Sequence, residues 1–147
     1  MSKYMRIQTQ FKDEAIFQEA LGAVCEEMGI IFETHDQPTT LLGWSGRREG
    51  QKAHYVIPRH YLGYGSMGFR REDEEIVAIV DDYDNHEGGK GRKILNGVKR
   101  EYARRKVTQL ARRRGLEVEE IHENGAVRLR LVPKRGRRSE RRVRVRR

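Results

Sequence analysis

The spacing of apolar residues along the chain predicts two amphipathic helices. In residues 13–28 an apolar side chain recurs about every fourth position, and Gly29 follows as a stop signal. Residues 92–114 repeat this pattern with apolar residues along one side, and Gly115 ends it. We therefore expect one helix near the start of the chain and a longer one in its second half.

Between and before these helices the pattern predicts strands. Residues 4–11 alternate and predict the first strand, and IIFETH (30–35) predicts the next. The run DQPTT is interpreted as a break, after which TTLLGWSGR (39–47) begins another strand. KAHYVIPRHYL (52–62) is also strand-like, although its proline favours a sheet edge or a bend.

Two hairpins are expected. The first hairpin is predicted for residues 65–84, with the two strands GSMGFRRED and EEIVAIVDDYD. The pair Asn124-Gly125 is a strong two-residue turn signal between alternating segments, and it sets Glu119 opposite Arg130. Residues 1–133 are thus predicted to form an α+β domain with a single mostly antiparallel sheet, two packed helices and a C-terminal β-hairpin. A flexible basic tail, residues 134–147, follows.

GYGSMG (63–68) matches the glycine pattern of dinucleotide-binding loops. A dinucleotide-binding unit needs a crossover helix after the glycines, and a crossover takes about ten or more residues. Only the seven residues FRREDEE separate Gly68 from the next strand. We therefore expect no NAD-type cofactor, and we interpret the glycines as letting a sheet edge bend.

Charge separates the tail from the body. The chain has 147 residues and a net charge of +9. The stretch KRGRRSERRVRVRR (134–147) carries nine Lys or Arg residues and one Glu, which leaves the body nearly neutral. Such a segment favours binding to a polyanion, here a nucleic-acid backbone with low sequence specificity.

The remaining composition bears on localisation. Cys25 is the single cysteine, so an internal disulfide is excluded. The N-terminal residues lack the apolar segment of a secretory signal, and no apolar run reaches the length of a membrane span. We expect a cytoplasmic or organelle-interior protein without membrane insertion.

Four stretches resemble one family: MSKYMRIQTQ, LGAVCEEMG, GFRREDEEIVAIVDDY and REYARRKVTQLARRRGL. In order and spacing they are similar to the uncharacterised family founded on hypothetical chloroplast reading frame thirty-five, of cyanobacteria, plastids and many bacteria. The likeness covers about residues 1–133. It implies a small accessory protein, and because members are often encoded beside an AAA-type ATPase, it implies such an ATPase as a partner.

An acidic cluster offers a different function. Its side chains follow a predicted strand and are of the types that hold Mg²⁺ or Mn²⁺. They are Asp81, Asp82, Asp84 and His86, with Glu87 beside them. Such a cluster beside a basic helix would support a metal-dependent phosphodiesterase or nuclease. The alternative is a polar loop that caps the following helix.

The second helix and the tail supply the predicted nucleic-acid-binding residues. On the helix they are Lys99, Arg100, Arg104, Arg105, Arg112 and Arg113. In the tail they are Arg135, Arg137, Arg138, Arg141, Arg142, Arg144, Arg146 and Arg147. The leading hypothesis is a non-enzymatic accessory protein that docks a protein partner and binds nucleic-acid backbone. The alternatives are an ATPase adaptor without nucleic-acid contact and the metal-dependent enzyme.

Overall fold

A computed structural model describes residues 3–46 and 48–134. The helices are α1 (Glu14–Met28) and α2 (Lys90–Arg113). The strands are β1 (Tyr4–Phe11), β2 (Glu33–Leu42), β3 (Arg48–Ile57), β4 (Met67–Glu72), β5 (Glu75–Asp81), β6 (Leu116–Glu123) and β7 (Ala126–Pro133). The chain divides into two compact units, Met1–Tyr102 and Ala103–Arg147. No helix of the described residues has the length and apolar character needed to cross a membrane.

The first unit is built on a five-stranded antiparallel sheet in the order β1-β5-β4-β3-β2. The main core lies on one face of this sheet. Phe17 and Leu21 of α1 and Ile94 of α2 are fully buried there, together with Tyr55 and Phe69 of the sheet. Burial of each such side chain contributes about 1.5–3 kcal/mol, so this face supplies most of the stability of the unit.

The first helix begins and ends where the sequence predicts. Asp13 is the N-cap, and its Oδ1 accepts a hydrogen bond from the amide of Ile16 at 3.1 Å. Gly29 ends the helix in the left-handed conformation, with φ of 68°. The second helix starts two residues before its predicted start and again ends before a left-handed glycine, Gly115.

One strand prediction was wrong, and a second was right in its bend at Pro58 but not in its length. DQPTT does not break the chain, because β2 runs through it from Glu33 to Leu42. The pairing with β3 shifts register between Thr34 and Thr39, and β2 is an edge strand, where a proline without an N–H is tolerated. Strand β3 ends at Ile57, so the predicted strand does not continue past Pro58, which bends the chain into a short 3₁₀ turn.

In the second unit, β6 and β7 pair only with each other among the described strands. Asn124 and Gly125 both have positive φ, 48° and 77°, as the two-residue hairpin turn requires. Glu119 lies opposite Arg130, and their side chains are 2.7 Å apart. The predicted hairpin and the α+β class are therefore confirmed.

Candidate nucleic-acid interface

In the first unit, α2 has a buried side and a cationic side. Val98 and Tyr102 face the core together with Ile94. The exposed cations are Lys90, Arg92, Lys93, Lys99 and Arg100. Apart from the half-buried Glu101, the exposed surface of this part of the helix is positively charged. Two predicted residues, Lys99 and Arg100, therefore lie where a polyanion can reach them.

In the second unit the predicted nucleic-acid-binding residues differ in exposure and in pairing. Arg112 and Arg113 are exposed in the last turn of α2. Arg104 is half-buried and pairs with Glu120 at 2.8 Å, and Arg105 is also half-buried. The predicted tail residues, from Arg135 to Arg147, lie outside the described residues.

The β6–β7 hairpin does not add to the positive charge. It carries four glutamates and two arginines. Both arginines are paired: Arg128 with Glu123 at 3.0 Å and Arg130 with Glu119 at 2.7 Å. The hairpin therefore provides cations that are already neutralised, in contrast to those of α2.

Two acids of the cluster have partners in the backbone. Asp84 is buried, and its two carboxylate oxygens accept hydrogen bonds from the amides of Gly63 (3.1 Å) and Gly65 (3.0 Å). Asp81 accepts a hydrogen bond from the amide of Tyr83 at 2.8 Å. Within the described ranges, no group of three or more His, Cys, Asp or Glu residues could hold a metal ion.

The other two members of the acidic cluster also face elsewhere. The Nδ1 atom of His86 hydrogen-bonds to the carbonyl of Tyr83, and Asp82 is exposed. Asp84 turns into the protein towards the glycine loop, so its carboxylate is occupied by that loop. Asp84 therefore holds the glycine loop, a role that differs from the helix cap expected as the alternative, and metal binding by the cluster stays a prediction.

The glycines of GYGSMG are explained by close packing. A Cβ atom on Gly68 would lie 2.3 Å from the Cβ atom of Ala53, and one on Gly65 would lie 2.7 Å from the Tyr4 hydroxyl. The interpretation of a bending sheet edge was wrong, because Gly68 is in β4, the central strand of five. No crossover helix follows, and β4 leads directly into β5.

A polar network near the start of α1 ties the helix to the sheet. Glu14 accepts hydrogen bonds from the Arg71 guanidinium at 2.9 Å and from the Tyr55 hydroxyl at 2.5 Å. The bond to Arg71 lowers the pKa of Glu14, and burial raises the pKa of Tyr55. Burial also lowers the pKa of His54, whose Nδ1 accepts the amide of Arg71 at 3.0 Å. These shifts favour an ionised Glu14 and an uncharged Tyr55 and His54 at neutral pH. The network is therefore suited to stabilising the fold.

Sequence analysis missed a row of aromatic rings, which we call the aromatic row: Trp44, Tyr64, Tyr83 and His86. Trp44 stacks on Tyr64 with centroids 4.8 Å apart and an interplanar angle of 20°. Tyr64 contacts Tyr83 at 4.9 Å, and Tyr83 contacts His86 at 5.6 Å. Trp44 is 51% exposed and Tyr83 is 60% exposed. The four rings come from three separate segments, so no local pattern indicates them.

Fold and surface thus define a basic α+β protein with a cationic helix and an exposed aromatic row. Residues 24–132 match the model of a family described as Protein of unknown function (DUF1257). The chain belongs to this family, which confirms the prediction of an uncharacterised domain family. No curated protein and no solved structure matches the chain.

Proposed function

We propose that this protein is a non-enzymatic accessory protein that binds the phosphate backbone of nucleic acid through α2 and the arginine-rich tail. The observation that carries the proposal is the cationic side of α2. From Lys90 to Arg113 the helix has ten Lys or Arg residues and one acid, Glu101. Several cations along one helix provide repeated contacts with phosphates, and each contact releases counterions.

The contrast with the hairpin supports this assignment. Arg128 and Arg130 are paired with glutamates, whereas Lys99 and Arg100 are exposed on the side of α2 opposite the core. The glutamate beside each paired arginine repels a phosphate and lowers the local positive potential, so such a cation gains less from the polyanion. The polyanion is therefore expected to contact α2 and not the hairpin.

The enzyme alternative has less support. Asp84, one of two equally buried acids of the cluster, has both oxygens bound by backbone amides. Each oxygen keeps a lone pair that could bind a metal ion, but Asp84 is 2% exposed, so the ion would have to enter a buried site. The AAA-type ATPase remains a prediction from the family resemblance, as the protein partner that the body would dock.

The test compares two double variants that remove the same charge. Lys99→Gln/Arg100→Gln removes two exposed cations of α2, and Arg128→Gln/Arg130→Gln removes two paired cations of the hairpin. Fluorescence anisotropy with a labelled single-stranded 20-mer and a duplex of equal length gives the affinity of each variant. We expect the α2 variant to bind both probes several-fold more weakly and the hairpin variant to bind as the wild type does.

Circular dichroism should show that both variants remain folded, since all four side chains are exposed. Equal weakening in the two variants would mean that only net charge matters, and the assignment to α2 would be wrong. No binding by the unmodified protein at low salt would reject the proposed function itself.

A further inference from the structure

We infer that the aromatic row is a stacking platform for unpaired bases, so that the nucleic acid bound by this protein is single-stranded. The inference rests on the proposed function and specifies its substrate class. Aromatic rings that are exposed and fixed in position stack on bases of any sequence, and a positively charged groove beside them follows the backbone. The row has both features.

The rings are arranged for stacking. Trp44, Tyr64 and Tyr83 follow one another at 4.8 Å and 4.9 Å, with interplanar angles of 20° and 32°. A flat base can extend such a row as its next member. The two outer rings of this trio are also the more exposed, with half or more of their surface accessible. Trp44 and Tyr83 both contact Tyr64, and an exposed patch of neighbouring aromatic rings marks an interaction site.

The segments that carry the rings are fixed by buried and partly buried hydrogen bonds. Asp84, next to Tyr83, binds the amides on both sides of Tyr64, those of Gly63 and Gly65. Ser66 joins the other two segments, because its Oγ accepts the amide of Leu42 at 2.8 Å and its own amide donates to the carbonyl of Leu42 at 2.8 Å. The row is therefore preorganised, which lowers the entropy cost of binding a base.

A groove lined by two arginines and one glutamate adjoins the row. It has a volume of about 850 Å³, and Tyr64 lines it together with Arg48, Arg59 and His60. Glu33 also lines it and hydrogen-bonds to His35 at 2.9 Å. The guanidinium of Arg59 reaches the turn that carries Trp44, since a Cβ atom on Gly46 would lie 3.8 Å from its Nη2. Cations beside stacked rings match a strand of phosphates and bases better than a neutral peptide.

At its other end the row meets the start of α2. A Cβ atom on Gly89 would lie 2.9 Å from Nδ1 of His86, and Lys90 begins the helix. The exposed Lys90 and Lys93 of the first helical turn continue the positive charge beyond the rings. His86 and these two cations follow one another along the chain in the first unit, with the exposed Glu87 between them.

The experiment uses the full chain, a proline-rich peptide and three nucleic-acid probes of equal length: a 12-mer of thymidine, a 12-mer of abasic sites and a 12-bp duplex. Trp44 is the one tryptophan of the chain, so its emission reports on the row directly. We expect saturable quenching by oligothymidine and none by the abasic strand or the duplex. Anisotropy should show that the abasic strand still binds through its phosphates.

Variants separate stacking from charge. Tyr83→Ala should weaken binding of oligothymidine about tenfold, as removal of one base–aromatic stack does, and leave the abasic strand unaffected. Tyr83→Phe keeps the ring and should bind normally. Ile31→Ala removes another exposed apolar side chain, 72% exposed and outside the row, and should also bind normally.

The outcomes distinguish this inference from the proposed function. Equal affinity for oligothymidine and the abasic strand, unchanged by Tyr83→Ala, would overturn the inference and leave backbone binding intact. Quenching by a proline-rich peptide but not by oligothymidine would assign the row to a protein partner and also overturn it. Absence of binding to all three probes at low salt would overturn both.

Discussion

Replacing Asp84 with alanine tests whether the acidic cluster holds the loop or binds a metal. The carboxylate is 2% exposed and accepts one hydrogen bond from the amide of Gly63 and one from the amide of Gly65. Asp84→Ala removes both acceptors without removing the donors. We therefore expect a large loss of stability from one loop residue.

The magnitude follows from the exposure of the two donors. Gly65 is buried, so its amide loses an acceptor that water does not readily replace, at about 2 kcal/mol. Gly63 is exposed, and water can partly satisfy its amide, at about 1 kcal/mol. The sum is about 3 kcal/mol, which corresponds to a fall in Tm of roughly 6–12 °C for a domain of this size. Asp84→Asn keeps one acceptor oxygen and should lose about half as much.

Urea denaturation followed by Trp44 emission and circular dichroism would measure these differences. Asp82→Asn is the matched control, because Asp82 is the exposed neighbour of the same cluster and should change stability by less than about 0.5 kcal/mol. Equal, small effects of both substitutions would refute the loop-holding role. So would a rise in Tm with millimolar Mg²⁺ or Mn²⁺ that Asp84→Asn abolishes, since a bound ion stabilises by RT ln(1 + [L]/Kd).

Three further substitutions test the fold, each by urea denaturation. Hydrogen bonding to two arginines lowers the pKa of Glu72 to about 2, so its contribution to stability is complete above about pH 5 and is lost as the pH falls towards 2. Glu72→Gln should therefore flatten the acid side of the stability profile; an unchanged profile would contradict this. Tyr102→Phe removes the acceptor of the Asp13 amide, whereas the Lys12 amide keeps the Gln10 carbonyl at 3.0 Å; it should cost about 1 kcal/mol, and no change would show that water replaces the hydroxyl. Gly68→Ala forces a methyl group against Ala53 and should cost about 1–3 kcal/mol, and a neutral result would mean that β4 adjusts freely.

Features set by neighbouring residues could be predicted from the sequence. The capped helix α1 follows from Asp13, an apolar repeat and Gly29, all within one segment. The β6–β7 hairpin follows from Asn124-Gly125, because both residues adopt the positive φ that this turn needs. Local chemistry decides these elements, and tertiary contacts do not override it.

Features set by distant contacts could not be predicted. Pro38 predicts a break in the chain. It is tolerated within a strand because β2 lies at the edge of the sheet, and only the strand order shows this. Asp84 is a candidate metal ligand in the sequence because its neighbours are acidic. In the structure its carboxylate accepts hydrogen bonds from the amides of Gly63 and Gly65, which lie about twenty residues earlier in the chain. The aromatic row joins rings from three segments, and each ring alone resembles an ordinary surface residue.

Binding of nucleic-acid backbone by clustered cations is tested most directly by the salt dependence of affinity. Anisotropy with a labelled single-stranded 20-mer, across a salt series, would be measured for the full chain and for residues 1–133. The truncation removes nine cations and one Glu from the sequence and no core residue of the described fold. Circular dichroism should therefore show nearly unchanged stability.

The full chain should bind with a steep slope of log K against log salt, since each phosphate neutralised on a single strand contributes about 0.7. Truncation should lower the affinity sharply and flatten the slope by about 0.7 for every phosphate that the tail neutralises, with the remaining slope due to α2. Unchanged affinity and slope after truncation would exclude the tail from the binding surface. Failure of the full chain to bind even at low salt would contradict the central claim.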